Sequence, residues 1–196
     1  MRKLLVLCLS TLLFTGAVMV PASFAAVQSE FTATDLFNPL PVPGFPAPQI
    51  GELLAPPTIK CPGHEPTGNP MQPCPVGSRM HSRDGLVVSR LIADDPRATG
   101  WLTVGLNSNL DANLEGPSWG TFRLDVDGTD GFWEGTWTGY RTAYDGYWVG
   151  AIYGQGRGYG GIVDGMMIIA EEQIMLVTPM PIAYIGTWEG RIIDPN

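Results

Sequence analysis

Two acidic residues occupy matching positions in two similar stretches of the chain. Glu134 lies in residues 131–140, which read GFWEGTWTGY, and Glu189 lies in residues 185–191, which read IGTWEGR. Two carboxyl groups that face one cavity can differ in pKa, so that one donates a proton while the other stays charged. Such chemistry would suit a cofactor-independent isomerase or cyclase. The candidate catalytic residues are Glu134, Glu189, Tyr140 and Tyr184.

A second interpretation places these acids on the solvent face, where Arg141 and Arg191 pair with them across strands. Charged side chains seldom lie inside a protein unless they are paired. The sequence favours this interpretation, so it assigns no catalytic residue. A Ser-His-Asp arrangement is also disfavoured, because the only histidines, His64 and His81, precede the predicted strands.

Cys61 and Cys74 lie in a segment rich in proline and glycine. In an exported protein, two cysteines in such a loop most often form a disulfide. The alternative is a zinc site that adds His64 and His81, but the spacing is irregular and no CxxC pair is present. The sequence therefore predicts a disulfide between Cys61 and Cys74, no metal site and no cofactor.

The tryptophans are the stronger sign of a binding function. All six lie in predicted strands, where core packing is their commoner role. If some of them line an open barrel, the pocket should prefer an apolar or aromatic molecule. The cavity candidates are Trp101, Trp119, Trp133, Trp137, Trp148 and Trp188.

Residue types that alternate along the chain predict that β-strands position these residues. In residues 131–140, glycines and tryptophans alternate with other residues, as they do in a β-strand bent at a barrel wall. Residues 166–177 would also suit a helix, but their place between strands favours a buried strand. The glycine-dense residues 154–161 predict a flexible turn or a bulged strand edge. Short strands with Gly-rich turns predict an all-β fold, a single antiparallel barrel of about eight strands over residues 83–196.

The first 25 residues have the pattern of a signal peptide: Arg2 and Lys3, an apolar run, and small residues before a cut after Ala25. Its removal takes away two positive charges and moves the formal net charge from −8 to −10. We therefore predict export to the periplasm or the extracellular space, with no stable membrane span afterwards. The acidic balance argues against nucleic acid as a partner.

Residues 26–82 are predicted to form a proline-rich extended arm followed by the disulfide-closed loop. Composition favours a spacer. The alternative is a strap that packs on the barrel through Phe37, Leu40, Phe45 and Ile50.

The stretch GFWEGTWTG at residues 131–139 resembles the glycine- and aromatic-rich strand of the allene oxide cyclase and dirigent-like β-barrels. Overall, the chain also resembles an uncharacterised group of exported bacterial proteins. The resemblance implies an eight-stranded barrel with an apolar cavity and a tendency to form homo-oligomers. The resemblance assigns no catalytic role to any named residue of this chain.

The function predicted first is an exported barrel that binds a small hydrophobic or aromatic ligand, or a non-enzymatic secreted module. The alternatives are an isomerase or cyclase that uses the barrel cavity, and a structural or surface protein built from barrel oligomers.

Overall fold

The computed structural model describes residues 26–40, 48–69, 72–144, 147–178 and 183–195. Ten β-strands and two short 3₁₀ turns, Pro96–Ala98 and Gly161–Val163, make up the regular structure of these residues. The strands are β1 Val27–Phe37, β2 Glu52–Ala55, β3 Thr58–Lys60, β4 Met80–Ala93, β5 Gly100–Leu110, β6 Gly116–Val126, β7 Phe132–Tyr144, β8 Tyr147–Tyr159, β9 Met167–Thr178 and β10 Ala183–Asp194.

Eight of these strands close into one antiparallel barrel, as the sequence predicted. The order runs β1-β10-β9-β8-β7-β6-β5-β4, and residues Ala33 to Leu36 of β1 pair with Ala93 to Arg90 of β4 to complete the circle. The short strands β2 and β3 pair with earlier parts of β4. A closed barrel leaves no open edge along its circumference.

The barrel extends beyond the predicted boundary at residue 83, because β1 is one of its strands. Phe31, Asp35 and Phe37 alternate with more exposed residues and point inward. Phe37 is therefore part of the barrel wall, while Leu40 is exposed. Phe45 lies outside the described residues.

β8 runs through the stretch that was predicted as a turn or a bulged edge. Residues up to Tyr159 are strand, and the chain turns only at Gly160, where φ is 66°. Gly135 and Gly156 face the ring of Phe122, and a Cβ atom on either would lie 2.6–2.7 Å from that ring. These glycines make room for a large aromatic side chain inside the barrel.

The ambiguous residues 166–177 belong to a strand, β9, as the sequence analysis preferred. Alternate residues face the interior: Ile168, Ala170 and Glu172 are buried. An acidic residue thus occupies an inward position that a period of two would assign to an apolar side chain.

One end of the barrel is filled by a packed core. Leu91, Leu124 and Ile192 are fully buried there, and Val163 of the second 3₁₀ turn closes the end. Trp133 is completely buried and its Nε1 donates to the carbonyl of Arg97 at 2.7 Å. The opposite end carries the disulfide loop, in which Cys61 and Cys74 are joined with their Cα atoms 5.5 Å apart.

Candidate functional site

The disulfide end of the barrel encloses a cavity of about 770 Å³. Its floor is the upper surface of the packed core, formed by Leu102, Phe122, Trp137, Ala170 and Trp188. Aliphatic side chains of the barrel strands, among them Val87, Val104, Leu106, Ile152 and Ile174, form its walls. At the far end, the lining includes the exposed Val76 and the disulfide loop, so the cavity reaches the protein surface there.

Three ionisable side chains line this largely apolar cavity at buried positions. Asp35 comes from β1, Glu172 from β9 and Tyr184 from β10, and their exposed fractions are 1%, 5% and 7%. The hydroxyl of Ser89, which is fully buried on β4, faces Asp35. These four residues are called the acid cluster below.

Strand register brings the two carboxyl groups together. In β10, Gly186 is the direct partner of Asp35 on β1, and Trp188 is the direct partner of Glu172 on β9. The Glu172 carboxyl reaches over Gly186 towards Asp35, because Gly186 has no side chain to block it. A Cβ atom on Gly186 would overlap Oε1 of Glu172 and lie 3.3 Å from Cβ of Asp35.

The acid cluster is loosely connected. Tyr184 Oη donates to Asp35 Oδ2 at 3.4 Å, near the long limit for a hydrogen bond. Among the described residues, Asp35 Oδ1, Glu172 Oε1 and Ser89 Oγ have no partner with hydrogen-bond geometry. The groups are close enough to alter one another's pKa, yet they leave hydrogen-bonding capacity unused at the cavity wall.

Burial controls the protonation of the cluster. Loss of hydration raises the pKa of Asp35 to about 7, although the neighbouring polar side chains of Ser89, Tyr184 and Glu172 oppose the rise. Burial raises the pKa of Glu172 well above its ordinary value, and the neighbouring Asp35 carboxylate raises it further. Burial likewise raises the pKa of the Tyr184 phenol. Near neutral pH, Tyr184 is therefore protonated, Asp35 is close to its midpoint, and Glu172 holds its proton more tightly than an ordinary glutamate does.

Arg141 is the one cationic side chain among the described residues that line the cavity. It was placed on the solvent face from the sequence, but in β7 it shares the inward face with Trp133 and Trp137 and is half-buried. Burial lowers its pKa to about 10, so it stays charged at neutral pH. It is not among the groups that shift the pKa of Asp35 or Glu172. The cavity thus has a cation and an acid cluster at separate places.

The predicted carboxylate pair of Glu134 and Glu189 does not exist, because β8 and β9 lie between β7 and β10. Both side chains are exposed on the outer face. Glu134 forms an ion pair on the solvent face at 3.0 Å, but with Arg123 and not with the predicted Arg141 or Arg191. Tyr140 is 55% exposed and borders the cavity, whereas Tyr184 lies inside it.

The six tryptophans divide into different environments. Trp137 and Trp188 line the cavity, and Trp137 Nε1 donates to the carbonyl of Gly105 at 3.1 Å. Trp133 is buried in the packed core below. Trp101 and Trp119 lie on the outer face, with the guanidinium groups of Arg90 and Arg83 over their rings. The side chain of Trp148 lies outside the described residues.

Tyr184 was among the candidate residues, but the two acids of the cluster were missed because they lie in stretches assigned to other roles. Asp35 falls in the predicted arm, and Glu172 falls in the segment that also suited a helix. A usable signal was nevertheless present: each acid interrupts an alternating apolar face, Phe31-Ala33-Asp35-Phe37 in β1 and Ile168-Ala170-Glu172-Ile174 in β9.

The described residues contain no group of three or more His, Cys, Asp or Glu side chains arranged to hold a metal ion. The cysteines of the alternative zinc site are joined to each other. No helix in this part of the chain has the length and hydrophobicity needed to cross a bilayer.

Comparison with known proteins adds no assignment. No protein-family model, no curated protein and no solved structure matches the chain.

Proposed function

We propose that this protein binds a small, mainly apolar molecule inside its barrel. The observation that carries the proposal is the cavity of about 770 Å³ at the disulfide end. Small-molecule sites typically occupy about 300–1,000 Å³, are largely apolar and contain a few polar groups. Trp137 and Trp188 offer aromatic surface to such a ligand, and the acid cluster offers the polar contacts.

The contrast between the two ends of the barrel supports a dedicated site. Protein interiors are normally close-packed, and unfilled apolar space lowers stability. The core around Trp133 and Leu124 is fully buried, so this chain is able to fill a barrel. Gly150 lines the cavity at the disulfide end and leaves space there unfilled. Only Ile174 lies within 4 Å of the position that a Cβ atom on Gly150 would take.

The test is to fill the cavity from this glycine. We expect Gly150→Leu to project a side chain into the cavity and abolish binding of an environment-sensitive apolar dye such as anilinonaphthalene sulfonate. The matched control is Ala151→Leu, because Ala151 is the next residue of β8 and is exposed on the outer face. Dye fluorescence titrations that show equal binding by both variants, with both folded, would refute the proposal.

The acid cluster favours a second candidate, a cofactor-independent isomerase or cyclase acting in the same cavity. Ionised Asp35, with its pKa near 7, suits a general base at neutral pH. Protonated Glu172 and Tyr184 are donors that could stabilise a developing oxyanion, as in sites where a buried carboxylic acid stays neutral. The base would take a proton from the carbon beside a carbonyl group and return it to another carbon of the same molecule.

Hydrogen–deuterium exchange separates this candidate from simple binding. An enzyme of this type should catalyse exchange of the acidic C–H of a bound unsaturated ketone with D₂O, observable by NMR. We expect Asp35→Asn to abolish exchange and Glu134→Gln to leave it unchanged. Absence of exchange in a saturated complex would leave binding as the function.

Export, homo-oligomer formation and the relationship to the allene oxide cyclase and dirigent-like barrels remain proposals. The signal-like residues 1–25 and the disulfide support export. The closed eight-stranded barrel and its cavity support the relationship.

A further inference from the structure

We propose that Asp35 and Glu172 together bind the protonated amino group of an otherwise apolar amine. This inference rests on the proposed binding function and names the chemical class of the ligand. The amine would place its ammonium group against the acid cluster and its hydrocarbon or aromatic part in the apolar remainder of the cavity.

The geometry offers acceptors where such a group would lie. Asp35 and Glu172 line the cavity, and their atoms Oδ1 and Oε1 are fully buried without a partner in hydrogen-bond geometry among the described residues. Buried polar atoms are normally hydrogen-bonded, so these two oxygens keep the capacity to accept from a donor that a ligand brings to the adjoining cavity. An ammonium group brings three donors and no acceptor, which suits a carboxylate site.

Charge favours a cation over the other polar groups that a ligand could bring. An ionised carboxylate away from water is costly unless an opposite charge accompanies it. The groups that face Asp35 are Ser89 from β4, Glu172 from β9 and Tyr184 from β10, and none of them is cationic. An ammonium ion would therefore compensate the charge of Asp35, while a ligand carboxylate would be repelled.

Trp188 adds apolar surface beside the acid cluster. It is the strand neighbour of Glu172 and lines the cavity beside it. Its indole ring offers contact area for the carbon atoms next to the amine.

Three naphthalene compounds with one skeleton provide the probes: 2-(1-naphthyl)ethylamine, 2-(1-naphthyl)ethanol and 1-naphthaleneacetic acid. Their affinities would be measured by titration calorimetry at pH 8 and pH 5.5. At pH 8 we expect the amine to bind about tenfold or more tightly than the alcohol. The acid reports separately on Arg141, the cation that lines the cavity away from the acid cluster. At pH 5.5 the amine keeps its charge but Asp35 is mostly protonated, so the preference for the amine should largely disappear.

The variants assign the effect to the acid cluster. Asp35→Asn should reduce the amine's advantage at pH 8 to about twofold or less and leave alcohol binding intact. Glu172→Gln is the second variant at the site, and Glu134→Gln is the matched control on the outer face. Circular dichroism would establish that each variant is folded.

The outcomes separate this inference from the binding function beneath it. Equal binding of amine and alcohol by the wild-type protein would overturn the inference and leave the apolar binding function standing. If none of the three binds and the dye also fails to bind, both proposals are wrong. An amine preference that persists in both Asp35→Asn and Glu172→Gln would place the amine contact elsewhere and overturn the inference as well.

Discussion

Glu172 occupies the space that a side chain on Gly186 would need. The carboxyl group of Glu172 on β9 lies over the backbone of Gly186 on β10, and a Cβ atom on Gly186 would overlap its Oε1. Asp35 is the β1 partner of the same glycine. The meeting of two acids inside the barrel therefore depends on one glycine of the IGTWEGR stretch.

We expect Gly186→Ala to displace the Glu172 carboxyl and lower the free energy of unfolding by about 1–3 kcal/mol, as overpacking does. The matched control is Gly150→Ala, since the nearest atom to a Cβ there is Ile174 Cβ at 3.7 Å. Urea unfolding of both variants measures the difference.

A double variant attributes the loss to this contact. Glu172→Ala removes the atom that the new methyl group would meet, so Gly186→Ala should cost less in that background. If the cost is the same with and without the Glu172 carboxyl, the strain lies elsewhere in β10 and the relationship described above is wrong.

The protonation of Asp35 predicts an unusual pH dependence of stability. Burial raises its pKa from 3.8 to about 7, so the folded protein holds this proton more tightly than the unfolded chain does. Because the folded state binds this proton more tightly, Asp35 contributes most to folding stability below about pH 4. This contribution is lost as pH rises towards 7. Between pH 5 and pH 8, the free energy of unfolding of the wild-type protein should fall by about 2 kcal/mol relative to that of Asp35→Asn.

Asp127 provides the control of opposite sign. Hydrogen bonding from Arg90 lowers its pKa, so its contribution is present above about pH 4 and is lost on further acidification. The stability difference between the wild type and Asp127→Asn should thus stay constant between pH 5 and pH 8. The measurement is urea unfolding at four pH values. If Asp35 titrated normally, the stability difference between the wild type and each variant would not change with pH between pH 5 and pH 8.

Alternation along the chain was sufficient to predict the barrel but not its first strand. Residues 131–140 alternate glycine with tryptophan, which a strand explains directly. The pattern of β1 is weaker, because its inward residues include Asp35 and the prolines that follow suggested an extended arm. Its burial comes from pairing with β10 and β4, and those partners are distant in sequence.

The site was predictable in kind, and the candidates Tyr184, Trp137 and Trp188 do line the cavity, but its two acids were not among the candidates. Glu134 and Glu189 were selected as the carboxyl pair because they occupy similar motifs. In both strands, however, the glutamate is adjacent to an inward tryptophan, and adjacent residues of a strand face opposite ways. Trp133 and Trp188 are buried, so Glu134 and Glu189 must be exposed.

The same rule separates the tryptophans by their contribution to stability. Trp133 is wholly buried and hydrogen-bonded to the carbonyl of Arg97, so we expect Trp133→Ala to cost about 3–5 kcal/mol or to prevent folding. Trp101 is 45% exposed and contacts the Arg90 guanidinium, so Trp101→Ala should cost about 1 kcal/mol or less. Thermal unfolding of the two variants compares them directly, and similar losses would contradict the inward and outward assignments.

The disulfide loop gives a prediction that joins stability to ligand access. The bridge between Cys61 and Cys74 closes a loop that lines the outer part of the cavity through Pro66, Gly68, Asn69 and residues 72–74. Replacing both cysteines by alanine should lower the free energy of unfolding by about 2–4 kcal/mol, because the unfolded chain regains conformational freedom. It should also speed the exchange of a cavity ligand, since a looser loop restricts passage less. Stopped-flow measurement of dye dissociation tests this second effect, with Ala151→Leu as an outer-face control. A dissociation rate equal to that of the wild type would show that ligands enter and leave without passing the loop.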